Sequence, residues 1–376
     1  MNHRERFHAL LRGDPIDRVP LYFFGTWRET KLRWRNEGLG TITNLTADAG
    51  PQVPGMDPDW EEGMWNCYGL VHAYLIGDQE VEILSEDHDF VLKRNEFGDV
   101  IRESKLGRST PELVEPSLKP TRASWRRFSM FLDPGDARRN HVGWQNEARE
   151  LQGSDRVLAF MGGSLYGWLR NWMGVEALSF LLYDDPVLLE DMVSHITDFF
   201  MKVMAPILST LRFDLVYFFE DCCGANGPLF SPDTYRRIFD RYYRKLITFY
   251  KENGVIWALI DSDGNVERLV PAWVESGFDI LFPLEAGKWG TTPSSIRRVM
   301  SKQVKIMGAV DKHVISRGEE AIRRHLLALK HEVDQGGFLP LPDHRIPPEV
   351  SYKDMLTYIR VFREEFDHPS DRVSCE

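Results

Sequence analysis

The stretch VIWALIDSDGNVERLVPAWVESGFDILFPLE, residues 255–285, contains a complete strand, helix and second strand. Residues 255–264 begin as an apolar run that is typical of a buried strand. Residues 265–277 have helical spacing of apolar side chains and end at Gly277, and residues 278–285 form a second apolar run. Two apolar strands joined by one helix are typical of parallel strands in an α/β sheet.

The same alternation extends in both directions from this unit. Further strands are predicted within RVLAFMGG (156–163), FDLVYFFEDCC (213–223), VKIMGAVD (304–311) and FLPLPDH (338–344), with helical segments between them. Short apolar strands that alternate with helices indicate parallel strands buried on both faces. With a first strand near residue 19 the count is seven, close to the eight of a TIM barrel. The missing strand would lie in an irregular excursion over residues 25–60.

The predicted fold class is therefore α/β, a (β/α)8 TIM barrel that forms a single domain over residues 1–376. A helical N-terminal extension is predicted from RERFHALLRG, in which Gly13 can end the helix. Alternating apolar and polar residues near 78–117 predict an inserted β-meander. A doubly wound open sheet is the alternative, but no Gly-x-Gly-x-x-Gly follows an early strand.

Composition and charge narrow the class of protein. A formal net charge of −11 disfavours binding to nucleic acid, which needs clustered basic residues. The four cysteines have no Cys-x-x-Cys spacing, so neither a disulfide framework nor a zinc ribbon is expected. No apolar run reaches the roughly 18 residues of a membrane span, and the N-terminus lacks the apolar core of a signal peptide. We expect a cytoplasmic protein that is not bound to a membrane.

Acidic residues and histidines follow several of the predicted strands, where a TIM barrel carries its catalytic groups. They are Glu220, Asp221, Asp261, Asp263, Glu285, Asp311, His313, Asp343 and His344. Each has an ordinary structural alternative: Asp263 or Asn265 can cap a helix that starts near 265, His313 can start a helix, and the other carboxylates can form surface salt bridges. Several carboxylates at one end of the barrel would repel one another, so a cation, a proton or a cationic substrate must balance their negative charge.

Four of these residues form a candidate metal site with three oxygen ligands and one nitrogen ligand. They are Asp261, Asp263, Glu220 and His344. Such a donor set suits a divalent ion, with Zn the first choice and Mn, Fe or Mg as alternatives.

Several segments resemble the uroporphyrinogen decarboxylase superfamily, which also contains zinc methyltransferases that move methyl groups between corrinoid proteins and thiols. They include RERFHALLRGDPIDRVP at the start, VLAFMGGSLYGWLRNWMG in the middle and GGFLPLPDHRIPPEVSYKDML near the end. The resemblance covers most of the chain. It implies a (β/α)8 barrel with its site at the C-terminal face of the strands, and a possible homodimer.

The sequence departs from both branches of this superfamily. The arginine-rich loop that the decarboxylase uses to hold its substrate is reduced to Arg28, and the decarboxylase's mid-chain tyrosine aligns with Arg170. Where the methyltransferases carry a zinc-binding His-x-Cys pair this chain has Asp261 and Asp263, and His344 replaces their late cysteine. The resemblance therefore implies a metal site without sulfur ligands, which is a harder Lewis acid.

Three functions follow as hypotheses. The first is metal-assisted methyl transfer or demethylation of a small oxygen- or nitrogen-containing substrate, with catalytic residues Asp261, Asp263 and His344. The methyl group would pass to a corrinoid or a folate, which is either free or carried by a partner protein. The second is cofactor-free decarboxylation of a tetrapyrrole or other carboxylated substrate, and the third is a noncatalytic binding protein. The predicted substrate-binding residues are Trp27, Arg28, Tyr166, Trp168, Arg170, His313 and Asp343.

Overall fold

The computed structural model describes residues 1–40, 53–105, 110–287, 290–301 and 303–367. Its α-helices are α1 (His3–Arg12), α2 (Arg28–Trp34), α3 (Arg122–Phe128), α4 (Trp144–Gln152), α5 (Gly167–Met173), α6 (Val175–Asp184), α7 (Pro186–Leu208), α8 (Pro232–Ile238), α9 (Asp240–Glu252), α10 (Val270–Ser276), α11 (Pro293–Met300), α12 (Glu319–Asp334) and α13 (Tyr352–Phe366). Its strands are β1 (Glu82–Glu86), β2 (Phe90–Arg94), β3 (Val100–Ser104), β4 (Glu112–Glu115), β5 (Ala159–Gly163), β6 (Leu215–Phe219), β7 (Cys223–Gly224), β8 (Gly227–Pro228), β9 (Trp257–Asp261), β10 (Ile280–Leu284), β11 (Lys305–Val310) and β12 (Phe338–Pro342).

Six parallel strands form the central sheet, in the order β12-β11-β10-β9-β6-β5. They lie within the six apolar runs from residue 156 onward in which the sequence predicts strands. Nearly every residue in them is buried, which agrees with parallel strands covered on both faces. The protein is therefore an α/β fold built on a parallel sheet.

The strand predicted near residue 19 is not a regular strand in the structure. Pro20 has no N–H to donate, and the N–H of Leu21 donates to the Asp57 carboxylate at 2.8 Å instead of to a neighbouring strand. In this part of the described chain, Thr26 forms an isolated parallel bridge to Ile346, just beyond β12. The sheet is compatible with a (β/α)8 barrel, but the described residues do not close it. Residues 41–52, part of the excursion in which the eighth strand was predicted, lie outside the described residues.

The segment predicted as a β-meander contains the four strands β1 to β4. They form a separate antiparallel sheet in the order β1-β2-β3-β4. A hydrogen bond links the residue after β3 to the start of α2, where Arg28 Nη1 donates to the carbonyl of Lys105 at 3.0 Å. None of the helices in the described ranges is long and apolar enough to cross a membrane.

Helix α1 packs against the N-terminal end of the central sheet through a buried carboxylate. The predicted helix is present, and Gly13 ends it with a left-handed φ of 79°. Asp214, which is completely buried just before β6, accepts hydrogen bonds from Arg4 Nε at 2.8 Å and from the Leu158 N–H at 2.9 Å. His8 Nε2 lies 2.7 Å from the same carboxylate. Asp214 therefore holds α1 against the N-terminal end of the sheet, and we call this its anchoring role.

Replacing Asp214 with alanine should destabilise the fold by roughly 3–5 kcal/mol, because it leaves the buried polar groups of α1 without their partner. Chemical denaturation would measure the change in the free energy of unfolding. Asp198→Ala is the matched control, since Asp198 forms a half-exposed pair with Lys245 and should cost under about 1 kcal/mol. Equal effects of the two substitutions would contradict the anchoring role.

Candidate active site

The parallel register of β6 and β9 brings two acidic loops together. Phe219, the last residue of β6, lies opposite Asp261, the last residue of β9. The carbonyl of Asp261 then accepts hydrogen bonds from the N–H groups of Glu220 at 2.9 Å and Asp221 at 3.2 Å. The two loops therefore leave the sheet side by side, at the C-terminal end of the strands.

Three carboxylates meet where these loops leave the sheet. One oxygen from each of Asp221, Asp261 and Asp263 lies within 4.8 Å of the others. Asp261 is only 3% exposed, whereas the other two are half-buried. The N–H of Asp263 donates to Asp221 Oδ1 at 3.3 Å, so the loops are also joined directly. We call Asp221, Asp261 and Asp263 the acidic cluster.

The surroundings of the acidic cluster raise the pKa of two of its carboxyls, Asp261 and Asp221. Burial raises the pKa of Asp261 well above its usual range, and the charges of Asp221 and Asp263 raise it further. A hydrogen bond from the buried phenol of Tyr217 opposes this rise. Burial and Asp263 also raise the pKa of Asp221, while Arg170 lowers it. The cluster therefore needs a proton or a cation to balance its charge.

Glu220 does not belong to the acidic cluster, although the sequence analysis proposed it as a metal ligand. Its carboxylate oxygens accept the N–H groups of Leu165, Tyr166 and Gly167 at 3.0, 2.9 and 3.0 Å. It therefore caps the start of α5. The structure places Asp221 beside Asp261 and Asp263 instead.

His344 lies at the edge of the acidic cluster. Its Nε2 atom is 3.5 Å from Asp263 Oδ2, and its ring packs edge-on against Phe24 with centroids 5.2 Å apart. The neighbouring Asp343 is buried and accepts the N–H groups of Ala286 at 3.0 Å and Lys312 at 3.1 Å. Asp343 therefore joins two loops, whereas His344 lies beside Asp263.

Three of the predicted substrate-binding residues lie on the segment that leads into and forms α5. Tyr166 is 1% exposed and packs against Phe230, and Trp168 is 5% exposed and packs against Tyr74. Both are core residues in the structure. Arg170 donates to the carbonyl of Asp221 at 2.7 Å and to its Oδ2 atom at 3.0 Å.

The remaining predicted substrate-binding residues have partners away from the cluster. The guanidinium of Arg345 lies 5.1 Å from the centre of the Trp27 ring, and Arg28 donates to Lys105 as described. His313 Nδ1 is 3.0 Å from Glu349 Oε1 on the exposed surface. The structure does not bring His313 into the acidic cluster.

The cap predicted for the helix after β9 is absent. Helix α10 begins at Val270, with Leu269 as its N-cap, so neither Asp263 nor Asn265 caps it. Gly264 has a left-handed φ of 84° and donates its N–H to Glu285 at 2.8 Å. Asp263 is therefore available to the acidic cluster.

Two aromatic residues of the site were missed by the sequence analysis. Tyr217 hydrogen-bonds to Asp261, and Trp65 is 44% exposed and packs edge-on against Tyr217 at 5.2 Å. Alternation along β6 puts Tyr217 on the same face as Phe219, so its position could have been inferred. Trp65 lies in an irregular segment for which no periodicity gives an orientation.

The family model described as uroporphyrinogen decarboxylase (URO-D) matches residues 148–365, which is more than half of the chain. The chain belongs to the uroporphyrinogen decarboxylase family. No curated protein matches the sequence. Among solved structures, a methyltransferase from Methanosarcina mazei is 15% identical with a TM-score of 0.54, over 97% of this chain and 99% of that chain. At this identity the likeness shows the fold alone.

Two further solved structures are similar over shorter parts of the chain. A protein described as a vitamin B12-independent methionine synthase from Listeria monocytogenes is 13% identical, over 60% of this chain and 70% of that chain, with a TM-score of 0.35. A glycosylated endo-beta-1,4-xylanase from Gloeophyllum trabeum is 12% identical, over 62% and 83%, with a TM-score of 0.38. These TM-scores are too low to carry an argument about this protein.

The cap formed by Glu220 should make stability depend on pH. Burial raises the pKa of Glu220 from 4.5 to about 7, against the opposing hydrogen bonds from Tyr243 and the α5 amides. The folded state therefore keeps a proton that the unfolded chain releases, and the stabilisation is full below pH 4.5 and lost as the pH rises through 7. Glu220→Gln should lack this loss, which amounts to about 3 kcal/mol at 1.4 kcal/mol per pH unit.

Denaturant titrations of the wild type and Glu220→Gln between pH 4 and pH 8 would measure this difference. Both proteins would first be treated with a chelator to remove any bound metal. The two stability curves should separate as the pH rises, in favour of the glutamine variant. Parallel curves would show that Glu220 is not protonated in the folded protein.

Proposed function

We propose that this protein carries out metal-assisted methyl transfer or demethylation of a small substrate that holds its methyl group on oxygen or nitrogen. The methyl group would pass to a corrinoid, carried by a partner protein, or to a folate. The observation that supports this most directly is the acidic cluster, in which three carboxylate oxygens lie within 4.8 Å of one another. Membership of the uroporphyrinogen decarboxylase family agrees with either methyltransferase-like or decarboxylase-like activity.

The residues of the cluster fit a divalent cation. Asp221, Asp261 and Asp263 offer oxygen ligands, and a bound cation would balance the charges that now raise the pKa of Asp221 and Asp261. We assign the fourth ligand position to His344, whose Nε2 atom is 3.5 Å from Asp263. Zn²⁺ remains our first choice, and Mn²⁺, Fe²⁺ and Mg²⁺ also accept carboxylate ligands.

A metal held in this position would act as a Lewis acid that polarises the atom carrying the methyl group. The protein's own residues orient the ligands and shape the space above them. Tyr217 fixes the Asp261 carboxyl by a hydrogen bond, and the exposed ring of Trp65 lies beside Tyr217. Phe24 lies against His344. These aromatic rings would limit the access of water to the bond that is broken.

Decarboxylation is the second candidate function, and one observation favours it. Asp261 is buried with a raised pKa, so without a metal it would be a protonated acid that could stabilise or protonate a carbanion-like intermediate. The arginines count against a polyanionic tetrapyrrole, however. Arg170 is held by Asp221, and Arg28 donates to a backbone carbonyl. Neither is placed as part of a loop that binds several carboxylates.

Purified protein should contain close to one equivalent of a divalent metal, and Asp261→Asn and Asp263→Asn should each lower that content strongly. Elemental analysis after dialysis would measure it. Asp198→Asn is the control, because Asp198 is an exposed carboxylate of α7 that pairs with Lys245 and does not belong to the acidic cluster. Metal that is absent from the wild type, or retained equally in all variants, would contradict the metal site.

Activity assays would separate the three functions. The metal-loaded enzyme should demethylate members of a panel of methoxylated and N-methylated small molecules when free cob(I)alamin or tetrahydrofolate is supplied, and Asp261→Asn should lower the rate at least 100-fold. Metal-free protein that releases CO2 from a carboxylated pyrrole would instead support decarboxylation. Ligand binding, seen as a thermal shift, without either turnover would support a noncatalytic binding protein.

A further inference from the structure

A short segment before and within α5 contacts three consecutive residues at the end of β6. Ser164 donates its hydroxyl hydrogen to the carbonyl of Phe219. The N–H groups of residues 165–167 hold the carboxylate of Glu220, and Arg170 donates to both the carbonyl and the carboxylate of Asp221. One segment of seven residues, Ser164–Arg170, therefore binds Phe219, Glu220 and Asp221 in order.

The backbones of Ser164–Arg170 and of residues 219–221 approach each other closely at Gly167. A Cβ atom on Gly167 would lie 2.6 Å from the carbonyl oxygen of Phe219 and 2.9 Å from that of Glu220. Asp221 itself has a left-handed φ of 42°, which residues with a side chain rarely adopt. Such a conformation persists only where its surroundings hold it. The contacts from Arg170 are made directly to this residue.

We propose that Arg170 is a positioning residue, which holds the carboxylate of Asp221 next to Asp261 and Asp263, and that it does not bind substrate. The inference rests on the proposed metal site. Both terminal nitrogens of Arg170 already donate hydrogen bonds. Nη1 donates to the carbonyl of Asp221, and Nη2 donates to the Asp221 carboxylate and to the side-chain oxygen of Asn171. The guanidinium also lies over the Phe219 ring, 5.8 Å from its centre.

This role requires the planar fork of arginine and not merely its charge. A lysine at position 170 keeps the positive charge but cannot reach a carbonyl and a carboxylate with two fixed N–H groups. If geometry matters, the lysine variant should lose metal affinity. If only charge matters, lysine should behave like the wild type and an uncharged residue should strengthen binding, because a cation repels a cation.

Titration of metal-free protein with Co²⁺, followed by visible absorption, would test the inference. We expect Arg170→Lys and Arg170→Gln each to weaken Co²⁺ binding about tenfold or more, as loss of a partner of a metal ligand commonly does, and to alter the absorption bands. Arg236→Lys is the control, because Arg236 forms a similar pair with Glu275 on the exposed surface. Unchanged affinity and spectrum in Arg170→Lys would overturn the proposal, as would tighter binding by Arg170→Gln.

A second measurement does not depend on the metal. Amide hydrogen exchange of residues 219–224 in chelated protein should be faster in Arg170→Lys than in the wild type, while exchange in β9 stays the same. Wild-type protein that binds no Co²⁺ would contradict the proposed metal site, whereas unchanged exchange in residues 219–224 would overturn the positioning role of Arg170. The two failures are therefore distinguishable.

Discussion

The carbonyl of Asp261 accepts the N–H groups of Glu220 and Asp221, and the geometry of the site depends on this pair of hydrogen bonds. They extend the β6–β9 ladder by one step beyond the last strand residues. Because β6 and β9 are parallel, the loops that follow them leave the sheet next to each other, at the same end. Asp221 and Asp263 thereby lie close to Asp261, and the charge of each raises the pKa of Asp261.

An arrangement of like charges at this range opposes folding unless something offsets it. Arg170 neutralises one carboxylate, and Tyr217 donates to another. Asp263 has His344 beside it at 3.5 Å. Each member of the acidic cluster thus has a polar partner outside the cluster, and the pKa values of Asp221 and Asp261 are nevertheless raised. A bound cation would supply the missing charge, and this is the physical reason for proposing a metal site there.

The sequence predicted the strands of the sheet and the end at which the polar residues gather, because both follow from periodicity and from the direction of parallel strands. It did not predict which acidic residue joins the cluster. Glu220 and Asp221 are adjacent, and the choice depends on the N–H groups of residues 165–167, at the start of α5, which donate to Glu220. The sequence also did not show that Tyr166 and Trp168 are buried in the core, since the orientation of a helix decides which aromatic rings face the core. The strand predicted near residue 19 is not formed, because Pro20 has no N–H and the N–H of Leu21 donates to Asp57 instead of to a neighbouring strand.

The environment of Cys222, next to the acidic cluster, indicates which kind of metal ligand the site favours. Cys222 directly follows Asp221, yet its sulfur faces Ser262 Oγ at 3.9 Å and is buried. Burial raises the pKa of this thiol well above its ordinary value, so a thiolate ligand is disfavoured. Among the described residues, the group with three candidate ligand atoms within 4.8 Å of one another is Asp221, Asp261 and Asp263, which contains no cysteine, and His344 lies beside Asp263. Such a donor set suits substrates that bind through oxygen or nitrogen better than it suits activation of a thiol.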